Sequence, residues 1–352
     1  MNKVLCLLPG TIVNTGNAAG NEALVKCNTL VNGIQNFLHK EIINNLTSVE
    51  NLQKQGFSTE VFCFAGRKKM TDLLKSAGAI ASKTKNDRYQ FVYVFWGGIS
   101  GYITTLFSRK PVFLTLLGSD LLGTYKQDGR QSSKGKLLTF FTRLACNNAR
   151  GIIVMSQDMC SKLPEKIHNK VLVAPECIDL NKFYPIDKAE ARNKLNIPQH
   201  NKVIMFFPGE GRIVKNAAFA NRIAEKLSAT YKDFTFLEIK NTPHSELVTY
   251  YNAADLLLIT SLHEGSNNSI KEAIACNCPV VSSNAGDARE RLSSLDQCFV
   301  INNFNESDYV SAIESIFSTN KKPEIRRGVE DLTFAKTGEK IANFIRKQLQ
   351  IK

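Results

Sequence analysis

The sequence predicts an α/β chain of two units, each built on a parallel sheet, and three observations lead there. Short apolar runs such as 91–96 (FVYVFW) and 255–260 (DLLLIT) recur along the chain, with segments of helical spacing between them. Runs of that length suit buried parallel strands. Most of them end in polar turns rich in glycine, asparagine or proline, and open parallel sheets bind ligands at the carboxyl ends of their strands. A charged stretch at 175–200, carrying Pro185 and Pro198, divides the 352 residues into halves of ordinary domain size.

The bulk composition narrows the class. With 43% hydrophobic residues and a mean hydropathy of -0.16, the chain can fill two cores. The nine cysteines form no C-x-x-C; only Cys276 and Cys278 make a C-x-C, and no histidines cluster beside them, so no metal site is expected. Scattered single cysteines fit a reducing cytosol. The run at 3–8 is cut by Pro9 and is too short for a signal peptide's apolar core. No run approaches the roughly 18 apolar residues of a membrane span. The net charge of +13 is lopsided: residues 1–175 hold 22 Lys+Arg against 10 Asp+Glu, and residues 176–352 hold 23 against 22. An anionic membrane surface is the expected partner of that first half. Nucleic acid is not, because no nucleic-acid module is present and the aromatics are not interleaved with the basic runs.

In the first half, strands are expected at 3–8, 58–64, 91–96, 111–117, 151–156 and 170–174. A long polar loop after the first strand leads to Gly33 and an amphipathic helix carrying Ile34, Phe37, Leu38, Ile42 and Leu46. Gly66, Arg67, Lys68 and Lys69 form a basic turn that is either a solvated loop or a phosphate or headgroup contact, before a helix from about 71. The strand at 111–117 runs into Gly118 and Asp120 at the sheet's carboxyl edge, where Asp120 is a substrate-side group or a helix cap. Leu137, Leu138, Phe140, Phe141 and Leu144 stand at helical spacing among Lys134, Lys136, Arg143 and Arg150. That segment is a helix packed on the sheet or one lying on a membrane.

The second half holds the chemistry. A strand at 202–207 leads into a turn in which Gly209 and Gly211 let the backbone approach a ligand. Arg212 and Lys215 follow three apart, just before a helix from about 216. A guanidinium gives a forked grip on phosphate oxygens and an ammonium gives a point charge. The strand at 255–260 leads to Glu264, Gly265, Ser266, Asn267 and Asn268, then to a helix at 269–275 beginning with Ser269 and carrying Glu272. Backbone N–H groups and a helix N-terminus there favour an anion, and a helix-borne carboxylate suits paired sugar hydroxyls. His244 and His263 are lone histidines with acid–base and packing readings both open. Strands at 280–281 and 298–301, helices from about 307, and a last helix at 339–349 complete the chain.

These residues stand in a familiar order. Ala253-Ala254-Asp255, Ser261-Leu262-His263-Glu264, Glu272-Ala273-Ile274-Ala275 and Cys278-Pro279-Val280-Val281 resemble the signature of retaining glycosyltransferases of family 4 (group 1), which have the GT-B fold. Gly286 with Asp287 and Arg289-Glu290 is similar to the family's G-x-x-E segment, and Pro175, Asp179 and Phe183 to its interdomain crossing. Two departures stand out: Asn277-Cys278 replaces the usual glycine, and Leu117 stands where the family often has a histidine.

The resemblance implies two facing Rossmann-like domains with parallel sheets and a cleft between them. Residues 1–175 would form the acceptor domain and 176–334 the donor domain, with a final helix at about 335–352 packing back on the first. It implies transfer of a sugar from a UDP- or GDP-type donor to an acceptor hydroxyl, with retention and without a metal or other cofactor. Glu264 and the backbone of 265–268 would hold the donor sugar, Glu272 the ribose, and Arg212 with Lys215 the diphosphate. Gly33, Gly118 and Asp120 would lie on the acceptor side. With the basic first half, the acceptor is expected to be a lipid-linked glycan of surface polysaccharide synthesis, met at the inner face of the membrane. An epimerase, a phosphorylase or a non-catalytic nucleotide-sugar binder on the same fold are the alternatives.

Overall fold

The computed structural model describes residues 3–9, 52–64, 70–85, 87–125, 130–209 and 212–350. Gly33, the helix expected after it, the basic turn at 66–69 and Gly211 lie outside that set. The described chain divides into two units. The first takes its residues from Met1–Thr124, Gln131–Ala174 and Ala335–Lys352; the second from Tyr125–Arg130 and Pro175–Phe334.

The first unit is a six-stranded sheet of β1 (Lys3–Pro9), β2 (Ser58–Phe64), β3 (Tyr89–Phe95), β4 (Val112–Leu116), β5 (Gly151–Val154) and β6 (Val171–Val173). The order is β2-β1-β3-β4-β5-β6 and every pairing is parallel. β4 is buried along its whole length and β3 at all but Gln90, as strands covered on both faces must be. The final helix, Phe334–Leu349, supplies Ala342 and Ile345 to this core, and its Phe344 ring meets Phe113 edge-on at 6.2 Å.

The helix Gly98–Phe107 carries Ile99, Tyr102, Ile103 and Leu106 at helical spacing, but its most buried face is a different one. Its buried residues are Gly98, Gly101 and Thr104, small groups set against the helix Ser133–Asn148. A Cβ on Gly101 would lie 3.1 Å from the Trp96 carbonyl and 3.7 Å from Ala145 Cβ. The partner helix likewise buries Gly135, Thr142, Ala145 and Cys146. The large apolar residues that set the helical spacing at 137–144 are therefore not the buried face: Leu137 is 52% and Phe140 56% exposed.

The second unit has five parallel strands, β7 (Lys202–Phe206), β8 (Phe234–Glu238), β9 (Leu256–Ile259), β10 (Val280–Ser283) and β11 (Phe299–Ile301), in the order β11-β10-β9-β7-β8. The stretch read as a linker contains a helix, Lys188–Lys194. It is tied to the sheet by Asp255, whose Oδ2 accepts from Arg192 (3.0 Å) and from the Val203 N–H (2.7 Å). Arg192 is almost fully buried and also donates to the Ala253 carbonyl. The aspartate of the Ala-Ala-Asp signature is thus a structural tie. Asn277 has φ of +56°, the left-handed region that favours glycine but tolerates asparagine. Its side-chain oxygen accepts from the Ile325 and Arg326 N–H groups at 3.0 and 2.9 Å, a bond that glycine could not make.

Candidate functional site

At the carboxyl end of β9 the chain builds a charged loop. Thr260 donates to the Lys215 carbonyl at 2.8 Å, and the Leu262 N–H donates to the Val214 carbonyl at 2.8 Å, so the turn carrying Arg212 and Lys215 is stapled to this edge. Lys215 Nζ then reaches Glu264 Oε1 at 2.6 Å, and Ser261 donates to the same oxygen at 2.8 Å. Both charged side chains are largely buried. Arg212 lies exposed on the same turn, one residue before the short helix Ile213–Lys215. Gly209 has φ of +73° and sits beneath Lys215: a Cβ there would meet Lys215 Cγ at 2.6 Å. Gly286, at φ of +64°, packs against Glu264 and Gly265 in the same way.

The loop after Glu264 is shaped from below. Asp287, fully buried, accepts from Ser266 Oγ at 2.7 Å and from the Asn267 N–H at 3.1 Å. Asn267 caps the helix Asn268–Ala275 by accepting from the Ser269 N–H, while its own Nδ2 is buried with no acceptor among the described residues. Among the described residues the N–H groups of Gly265, Ser266 and Asn268 also make no hydrogen bond. A loop with spare donors beside a helix N-terminus is a place for an anion or a polar ligand.

Glu272 makes its contacts away from Glu264. It is buried, accepting from Tyr251 Oη at 2.7 Å and lying 2.8 Å from His244 Nε2. Burial, and next the negative charge of Glu272, push the Tyr251 phenol well above its ordinary pKa, so it stays a donor. One residue earlier, Lys271 is buried and donates to the Glu176 carbonyl at 2.9 Å and to Asn268 Oδ1 at 3.0 Å. Loss of solvent pulls its ammonium below the ordinary lysine value. Sequence reasoning missed Lys271, Tyr251 and the role of His244. The only signal was a lysine on an otherwise apolar helix face.

In the first unit, Gly118 has φ of +134° and opens the short helix Ser119–Leu122. Asp120 is fully buried, and its carboxylate accepts from the N–H groups of Gly97, Leu117, Gly118 and Leu121 at 2.9 to 3.3 Å. Burial raises its pKa although those four donors pull it down. Asp120 therefore shapes the edge of the sheet, binding the end of β3 to the loop after β4.

Two α/β units of parallel strands with these loops define the GT-B class, and the likeness to solved structures is of that fold. The cyanobacterial sucrose-phosphate synthase of Thermosynechococcus elongatus matches with a TM-score of 0.68 at 16% identity, over 99% of this chain and 100% of that one. Anabaena HepE, solved with UDP and glucose, matches with a TM-score of 0.60 at 15% identity, over 98% and 99%. Residues 192–319 match the family model of glycosyl transferases group 1. A D-inositol 3-phosphate glycosyltransferase of Geodermatophilus obscurus is 24% identical over 183 residues, 42% of this chain. That alignment spans 40% of the curated relative's length.

Proposed function

We propose that the protein is a retaining glycosyltransferase that moves a sugar from a UDP- or GDP-type donor to an acceptor hydroxyl. One observation carries this reading: the spare N–H donors of Gly265, Ser266 and Asn268 stand beside a lysine–glutamate pair at the end of β9, with Arg212 on the adjoining turn. Arg212 and Lys215 take the diphosphate and stabilise the charge that builds on it as it leaves. Glu264 and the 265–268 backbone take the donor sugar, and Glu272 takes the ribose hydroxyls. The acceptor oxygen bonds to the anomeric carbon on the face from which the phosphate oxygen departs, and the leaving phosphate accepts the acceptor's proton. The two cations do the work a metal does in other transferases, so chelators should leave the rate unchanged.

The test is a panel of nucleotide sugars with lipid-linked acceptors, followed by nucleotide release and by the anomeric configuration of the product. Glu264→Ala should cut transfer by about 10² to 10⁴-fold while the melting temperature stays within a few degrees. A Glu264→Ala protein with full activity sinks the assignment.

The acceptor is proposed to be lipid-linked and the first unit to dock on an anionic bilayer. The helices Gly98–Phe107 and Ser133–Asn148 contain no acidic residue. They expose Leu106, Phe107, Leu137 and Phe140 together with Lys134, Lys136 and Arg143, and the exposed Arg109 follows the first of them. The Phe140, Phe141 and Tyr102 rings adjoin at 5.4 and 5.6 Å, so the apolar surface is continuous across the two helices. Apolar side chains ringed by cations suit an anionic bilayer, at about 1 kcal/mol per cation near the surface. No helix of the described residues is long and apolar enough to cross a membrane. Sedimentation should show binding to anionic but not neutral vesicles, reduced by Leu137→Ser with Phe140→Ser. Equal binding to both vesicle types contradicts it.

A further inference from the structure

Lys182, His244, Glu272 and Tyr251 form one connected chain of polar groups in the second unit, and the proposed reaction uses only Glu272. We propose that His244 is a positioning residue for donor binding: it fixes the Glu272 carboxylate for the ribose diol, and Lys182 fixes the histidine's tautomer. The inference rests on the assignment of Glu272 to the ribose.

The geometry dictates the proton positions. Lys182 Nζ lies 2.7 Å from His244 Nδ1, and an ammonium has only donors to offer, so Nδ1 must accept. The single proton of the neutral ring is then on Nε2, which faces Glu272 Oε1 at 2.8 Å. Tyr251 donates to the other oxygen at 2.7 Å. With one donor on each oxygen, the plane of the carboxylate is set. A vicinal diol bridges the same two oxygens, so its fit depends on that plane. Removing either donor lets the group turn about its terminal torsion, which is soft.

The ring itself is held. Phe183 meets His244 edge-on at 5.2 Å and Tyr251 at 6.0 Å. Arg326 anchors that segment by donating to the Leu180 and Phe183 carbonyls, at 2.7 Å each, and to the Ala275 carbonyl at the end of the Glu272 helix. The His244 side chain is 44% exposed whereas that of Glu272 is 3% exposed, so the ring is the member of the pair that meets solvent. Lys182, Glu272 and the Phe183 ring contact it.

Calorimetric titration of UDP and of GDP tests this on the full chain. For whichever nucleotide binds, Glu272→Ala should weaken binding by about tenfold or more. His244→Ala should weaken it by about five- to tenfold. His244→Gln, whose amide still donates, should recover most of the affinity. A His244→Ala protein binding like the native one, while Glu272→Ala does not, overturns the inference and leaves the ribose assignment standing. Native affinity in Glu272→Ala overturns the assignment itself. A His244→Gln protein that binds as weakly as His244→Ala also overturns the positioning role.

Discussion

The carboxyl edges of the two sheets use their acidic residues in opposite ways. In the first unit, Asp120 spends both oxygens on four backbone N–H groups and is sealed from solvent. In the second, Glu264 directs one oxygen to side chains, Lys215 and Ser261, while Oε2 has no partner among the described residues. The backbone donors near it are left unspent instead. A carboxylate bound by backbone fixes a loop. A carboxylate paired with a side-chain cation can exchange that partner for a ligand, because both retain hydrogen-bonding capacity when they part.

That contrast can be broken by substitution. Asp120→Ala strands the N–H groups of Gly97, Leu117, Gly118 and Leu121. It should cost about 3 to 5 kcal/mol of stability, since an unpaired buried donor costs roughly 1 to 3 kcal/mol. Denaturant unfolding measures this, and nucleotide affinity at low denaturant should be unchanged. A stable Asp120→Ala protein with impaired nucleotide binding would reverse the roles assigned to the two edges.

A smaller effect sharpens the second side of the comparison. Lys271→Met removes the donor to Glu176 and Asn268 and should cost about 1 to 3 kcal/mol. Because burial lowers the Lys271 pKa, the unfolded chain binds the proton more readily than the folded one. Stability from this group therefore rises with pH in the window below the ordinary lysine value of 10.5. Melting curves from about pH 7 to 10 should show that rise in the native protein and a flatter profile in Lys271→Met. Parallel profiles would mean that Lys271 is not desolvated as its burial indicates.

The strands were legible because buried parallel strands are short apolar runs; β2 begins and ends where the pattern places it. The loop with Glu264 and the helix with Glu272 were legible because their spacing is local. The helix Gly98–Phe107 buries Gly98, Gly101 and Thr104 most deeply, so the spacing of Ile99, Tyr102, Ile103 and Leu106 does not mark its most buried face. On the Ser133–Asn148 helix Leu137 and Phe140 are likewise exposed, although they share the apolar spacing. The surroundings of Glu272 were hidden for another reason. Lys182, His244 and Tyr251 come from three separate segments, and a single histidine in a loop gives no sign of the carboxylate it will meet. Asn277 shows the converse: the missing glycine was visible, but the two N–H groups that its side chain serves come from residues 325 and 326.

The most direct test of the donor site is hydrogen exchange of the native protein with and without a saturating UDP- or GDP-sugar. The account predicts slowed exchange at the amides of 212–216 and 264–269, with the amides of 117–121 unchanged. Protection confined to 117–121, with the second unit's loops unaffected, would contradict it.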